Sequence, residues 1–386
     1  MKHVLGSLTI EQFLAEYWQK KPVLIRNAWP EFKPLLEADE LAGMSLEEDI
    51  ESRIIMEKGP ETPWQLLKGP FTEETYQNLP KEKWTLLIQG VDQWIPEAAD
   101  LIENFRFIPS WRIDDLMISY APNGGSVGAH YDQYDVFLLQ ASGKRQWSTD
   151  QMCDENTPFL EEPQIRVLQD FQEQDTWVLE PGDMLYLPPR LAHHGIAVGH
   201  NCMTYSIGFR APSQQEILDQ IAIEVADNFD LNEDNRYGDP NLTQQNSTGE
   251  ITQASLENAR SLLAKLLSDD SLLSSAIGHL SSQAKYPDLL KPAIGTEVTD
   301  EELWQEITSS NTLTRDEMSR LSFYQNKSTE QITLFFNGES TKTKGSLEFI
   351  RLICDQRSNE TTSLLSNINE EEKEILLMLY RQQILY

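Results

Sequence analysis

The 386 residues carry 31 Lys and Arg against 62 Asp and Glu, a net charge of −31, with 39% hydrophobic and 9% aromatic residues. That length exceeds what one core ordinarily holds, so two or three domains are expected, and the apolar share excludes a disordered chain. A surface this acidic repels phosphates, which argues against direct nucleic-acid binding and favours a basic protein as partner.

The three cysteines, Cys153, Cys202 and Cys354, are widely spaced and lack a CxxC pair, a reduced intracellular pattern without a disulfide framework or a structural zinc site. The opening MKHVLGSLTIEQFLAEYW lacks the apolar centre of a signal peptide, and no apolar run reaches the length of a membrane span. A cytoplasmic chain without membrane contact is expected.

In chain order, Thr9 and Gln12 fit a capping box. Ile10, Phe13, Leu14, Tyr17 and Trp18 then form one apolar stripe, which predicts a helix over 9–19. PVLIRNA (22–28) reads as a short buried strand. Helical stretches are expected around 45–52 and 72–79, with a strand at WTLLIQG (84–90). From Trp111 the texture becomes strands and turns: DLMISYAP (115–122), a glycine-rich turn at 123–128, and AHYDQYDVFLLQ (129–140) as a strand that bends. SGKRQWSTD (142–150) reads as a hairpin return and a further strand, two strands flank the Pro-Gly turn at 181–182, and NCMTYSIGFRAP (201–212) is the last. This spacing fits a small β-barrel or double-sheet jelly roll.

After Pro212 the period becomes helical. An amphipathic helix is expected over 213–229, a polar loop over 232–250, helix again over 251–281, and short helices at 300–308 and 314–321. QITLFFNG (331–338) and the stretch before GSLEFIRLICD read as strands, and GSLEFIRLICD (345–355) as a helix. Helices followed by a hairpin predict a small winged-helix-like domain, with no basic recognition helix and hence a protein-contact role.

The chemistry concentrates in few residues. Only six histidines are present, and HYD (130–132) sets His130 and Asp132 two apart, on one face of a strand. A third ligand from a distant strand would complete a triad of two His and one carboxylate, which leaves one octahedral face open for co-substrate and O2. His193 and His194 follow PGDMLYLPP some sixty residues later. Adjacent strand residues face opposite ways, so only one of them can ligate; His200 is a weaker third choice. GKRQW (143–147) offers a cation to an anionic co-substrate. Ser119, Tyr120 and Ser206 are expected to face the same cavity. Asp115, Tyr134 and Asp135 flank the metal strand as candidates for holding a cationic substrate side chain. Trp147 and Trp177, with Met184, Leu185 and Leu187, read as core.

These segments resemble the JmjC-type oxygenases of the cupin superfamily, and among them the bacterial ribosomal-protein arginine hydroxylases. The resemblance rests on YWQKKPVLIRNAWP (17–30), DDLMISYAPNGGSVGAHYDQYDVFLLQASGKRQW (114–147), PGDMLYLPPRLAHHG (181–195) and YSIGFRAP (205–212). It implies an α+β chain: a double-stranded β-helix (cupin or jelly-roll) catalytic domain with N-terminal helices over 1–212, a helical dimerisation region over 213–285 and a winged-helix-like domain over 286–386. It also implies Fe(II), 2-oxoglutarate and O2, and hydroxylation of an arginine β-carbon in a basic large-subunit ribosomal protein by a homodimer. His130 and Asp132 match the family's first two ligands. His193 matches the distal one through PP-x-x-x-H-x-G, although the doubled histidine departs from many relatives. Arg145 matches the cation for the distal carboxylate of 2-oxoglutarate, with Ser119 and Ser206 as supporting hydroxyls. The competing expectations are a related oxygenase acting on histidine or methyl-lysine, and a non-catalytic cupin binding module.

Overall fold

The computed structural model describes residues 4–59, 64–161, 165–228 and 236–386. The chain divides into two compact units. The first holds Met1–Ala211, Thr312–Met318 and Asp355–Asn359; the second holds Pro212–Asn311, Ser319–Cys354 and Glu360–Tyr386.

In the first unit, α1 (Ile10–Glu16) starts at the expected box: Gln12 N donates to Thr9 Oγ1 at 3.1 Å, and Thr9 N to Gln12 Oε1 at 3.0 Å. It ends three residues early, because Gln19 is drawn into a left-handed conformation (φ 57°). There its backbone N–H donates to the Tyr186 hydroxyl and its side chain to Asp135. The helix expected around 45–52 is a correction. The helix is α2 (Ala38–Met44), Ser45–Ile50 are turns, and Ser52 already begins a strand. Ile54, Ile55 and Met56 are consecutive and buried, a pattern suited to a strand covered on both faces, with Ile54 and Met56 in the core and Ile55 toward the cavity. The remaining helices are α3 (Glu73–Gln77) and α4 (Pro96–Ile102).

Nine strands form one sheet among the described residues: β1 (Val23–Ile25), β2 (Ser52–Glu57), β3 (Trp64–Lys68), β4 (Trp84–Ile88), β5 (Ile113–Ala121), β6 (Val136–Met152), β7 (Asp175–Leu179), β8 (Met184–Leu187) and β9 (Leu191–Phe209). Their order is β1-β8-β6-β9-β5-β4-β2-β3, with β7 on β6. The segments read as separate short strands on either side of Ser142 and Gly199 are in fact continuous through β6 and β9, whose long antiparallel ladder is irregular at Gln140–Lys144 and Thr149–Met152. One face packs on a core that includes Phe13, Phe105, Phe137, Tyr186 and Phe209. A smaller cluster, among it Val136, Leu138, Trp147, Leu185 and Leu187, lies on the other side.

The second unit holds α5 (Gln214–Asn228), α6 (Gln253–Leu267), α7 (Asp270–Ser282) and α8 (Asp300–Ser309). The helix expected at 314–321 is a second correction. The chain there passes from the short strand β10 (Thr312–Thr314), which belongs to the first unit, through turns into β11 (Leu321–Gln325) of the second. Leu321, the last residue of that segment, pairs with Phe336 of β12 (Ile332–Phe336), which β13 (Glu339–Thr343) flanks in turn. Helix α9 (Leu347–Asp355) follows, then β14 (Ser358–Glu360) pairing β10, α10 (Thr361–Leu364) and α11 (Glu370–Arg381). No helix among the described residues is long and apolar enough to cross a membrane.

Candidate active site

A cavity of about 650 Å³ opens on the inner face of the sheet, with His130, Asp132, Arg145, Trp147 and His193 among its lining residues. One ligand atom from each of His130, Asp132 and His193 lies within 4.8 Å of the others. This is the single group of three or more His, Cys, Asp or Glu of that kind among the described residues.

The backbone arrangement differs from the expected strand. His130 is an isolated bridge residue paired with His193, and Asp132 lies in the loop before β6 begins at Val136. Alternation along a strand therefore does not bring the two together. The His193 backbone holds His130, and the Arg190 backbone N–H, at 2.7 Å, holds the Asp132 carbonyl. Both imidazoles are oriented by carbonyls: His130 Nδ1 is 2.9 Å from Gly128 O, and His193 Nδ1 is 2.9 Å from Leu191 O. A carbonyl only accepts, so Nδ1 carries the proton and Nε2 keeps its lone pair for a metal. His193 Nε2 is 3.7 Å from Asp132 Oδ2. Burial, and next the neighbouring His130, lower the His193 pKa to about 4, so the ring is neutral at physiological pH. Gly128 sits at φ +85°, and a Cβ there would come within 2.7 Å of Val167.

The doubled histidine separates cleanly. His193 pairs with Thr149 of β6 and is 3% exposed. His194 pairs with Ser148 and turns to the other face, where its Nε2 meets Ser126 Oγ at 3.0 Å. His200 is exposed.

Arg145 is 2% exposed, and its Nε and Nη2 have no hydrogen-bond partner among the described residues. These two atoms form one edge of the guanidinium, the edge that grips a carboxylate through two parallel bonds. Lys144 faces outward and pairs with Glu180 at 2.6 Å. Two imidazoles presenting Nε2, one carboxylate and a buried guanidinium edge without a hydrogen-bond partner among the described residues fit Fe(II) and an anionic chelating co-substrate.

The remaining candidates divide. Ser119 and Ser206 line the cavity; Tyr120 does not, and packs on Trp84 instead. Asp115 and Tyr134 line the cavity as well. Asp115 accepts from Gln89 Nε2 at 2.7 Å and from the Gly90 N–H at 2.9 Å. Asp135 is a correction: it is fully buried away from the cavity and accepts from Tyr186 Oη (2.6 Å), Gln19 and Arg112. Burial raises its pKa against those bonds, and its work is structural. The reading of the residues missed Gln89 and Gly90, which hold Asp115, and the two carbonyls that orient the imidazoles. Backbone groups leave no mark in a sequence.

The JmjC domain family model matches residues 100–217. The chain is 35% identical over 341 residues to a probable ribosomal oxygenase of Haemophilus influenzae, covering 86% of this chain and 82% of that one. It is 34% identical over 280 residues to the ribosomal protein uL16 3-hydroxylase of Escherichia coli, covering 72% and 73%. Among solved structures it is similar to YcfD, a ribosomal oxygenase from Escherichia coli, in complex with cobalt and 2-oxoglutarate. The TM-score is 0.84 at 28% identity, over 99% of this chain and 98% of that one.

Proposed function

Because the chain belongs to the JmjC-domain ribosomal oxygenase family, we propose that it is an Fe(II)- and 2-oxoglutarate-dependent hydroxylase of a ribosomal protein. The observation that carries this reading is one cavity holding both the His130–Asp132–His193 cluster and the unpartnered edge of Arg145. His130, Asp132 and His193 would hold the metal. Arg145 would take the distal carboxylate of 2-oxoglutarate, with the Ser119 and Ser206 hydroxyls beside it. Bound iron and 2-oxoglutarate supply the oxidising power for inserting one oxygen atom into a C–H bond, with succinate and CO2 as co-products. The chain's own work is to position the substrate and exclude water, for which Val136 and Leu138 provide an apolar wall.

An arginine β-carbon is the target this site suits. Asp115 supplies a carboxylate pre-oriented by Gln89 and Gly90, and Tyr134 an aromatic face; a guanidinium uses both. A Cβ added at Gly208 would lie 3.7 Å from both Asp115 Oδ1 and the Tyr134 ring, so the glycine keeps that slot clear. The net charge of −31 complements a basic protein of the large subunit and speeds encounter at low salt. Residues 213–285 serve dimerisation in this reading: α6 buries none of its own side chains and exposes Leu256, Leu263 and Leu267 along one stripe. Residues 286–386 form the winged-helix-like module.

The test is mass spectrometry of ribosomal proteins incubated with enzyme, Fe(II) and 2-oxoglutarate. A gain of one oxygen on an arginine of a large-subunit protein is expected. No oxygen gained on any ribosomal protein removes the reading, and oxygen on histidine redirects it.

A further inference from the structure

We propose that the indole N–H of Trp147 is a second donor in the co-substrate subsite, donating to the carboxylate that Arg145 grips; this rests on the reading above. Trp147 is 5% exposed and lines the cavity, yet its Nε1 has no acceptor among the described residues. An indole nitrogen can only donate, and leaving a buried donor unmade is costly, so a native site keeps one where a ligand supplies the acceptor. The same cavity wall holds the two unpartnered atoms of Arg145, two residues earlier on β6. Residues two apart on a strand share a face. The two neighbouring side chains that carry these three orphaned donor atoms therefore both line one cavity.

The backbone is shaped for this indole. Gly195 lies opposite Trp147 in the β6–β9 ladder, and a Cβ there would be 2.7 Å from Cη2 and Cζ3 of the ring. The ring is 5.7 Å from Arg145 Cζ and 5.8 Å, centroid to centroid, from the His193 imidazole. The indole thus lies within 5.8 Å of both the Arg145 guanidinium and the His193 imidazole, the two groups that a chelating dicarboxylate has to span. A carboxylate whose two oxygens each take one bond from the Arg145 edge keeps free lone pairs for a third donor.

The test uses the full chain loaded with zinc, a diamagnetic stand-in, and labelled with 15N-tryptophan. The Trp147 indole cross-peak, identified by its absence in Trp147→Phe, is expected to move when 2-oxoglutarate is added. Trp147→Phe is expected to weaken 2-oxoglutarate binding about tenfold in calorimetry, the fold-change of one hydrogen bond to a charged acceptor. If that variant fails to fold, the wild-type cross-peak, assigned through its backbone, decides alone. A cross-peak that stays still while 2-oxoglutarate binds overturns the proposal, as does a Trp147→Phe chain that binds as tightly as wild type. Wild-type protein that binds no 2-oxoglutarate overturns the hydroxylase reading, and this donor with it.

Discussion

His130 and His193 exchange both of their backbone hydrogen bonds: His130 N donates to His193 O at 3.0 Å, and His193 N donates to His130 O at 2.8 Å. Their rings stand 4.3 Å apart. Two side chains sixty-three positions apart are thus placed by main-chain pairing, and neither depends on the other's ring for its position.

That pairing lets single substitutions be read as ligand losses. His130→Ala, Asp132→Ala and His193→Ala should each lower Fe(II) affinity by more than about 100-fold, beyond the effect of losing an outer partner, with the melting temperature little changed. His194→Ala should keep iron uptake, because its ring turns to Ser126. Retained metal binding in His193→Ala with loss in His194→Ala would reverse the assignment.

Arg145→Ala removes a charge-assisted fork, worth about 1.5–3 kcal/mol. The Kd for 2-oxoglutarate should rise by roughly 10- to 150-fold by titration, with iron uptake intact. A Kd that does not move would mean that another cation receives the carboxylate.

Gly195→Ala forces a methyl group against the Trp147 ring, whose Cη2 and Cζ3 would be 2.7 Å away. Overpacking of this kind costs about 1–3 kcal/mol. A domain of this size loses roughly 2–4 °C in Tm for each of those kcal/mol. Calorimetric melts at matched metal content check this, and a Tm equal to wild type would mean that the ring moves freely aside.

Glu224 links α5 to α7. Burial raises its pKa, but hydrogen bonds from His279, Ser275 and Gln220 outweigh that and leave it lowered. A carboxylate with a depressed folded pKa stabilises fully above its unfolded value near 4.5 and loses that stabilisation as pH falls through the folded value. Wild type should therefore lose Tm more steeply than Glu224→Gln as pH drops below about 4.5. Parallel curves would show that the pair is energetically silent.

Helix α6 leaves Leu256, Leu263 and Leu267 exposed among the described residues. Leu263→Asp should convert a dimer into a monomer in light scattering, leaving the unit that carries the candidate site folded. A wild-type chain that is already monomeric at micromolar concentration removes the premise.

Local physics was legible without a structure. The Thr9–Gln12 box and the end of β8 at the prolines after Leu187 depend on neighbours a few positions away, and each can be read along the chain. Length, charge and the scarcity of histidine narrowed the candidate chemistry to a handful of side chains. The tertiary structure decided what needs partners far apart in sequence. Asp135 and Asp115 both look like available carboxylates until Tyr186 and Gln19 close around the first and Gln89 and Gly90 orient the second toward the cavity. The 314–321 segment is expected as helix, but Glu317 and Met318 form a turn and Leu321 is taken into pairing with Phe336 of β12, far along the chain. His193 and His194 are chemically identical, and only their registers against β6 send one ring to Asp132 and the other to Ser126. A sequence states which groups are present and their local preferences; which donor is left without an acceptor, as at Arg145 and Trp147, exists only once the chain has closed around it.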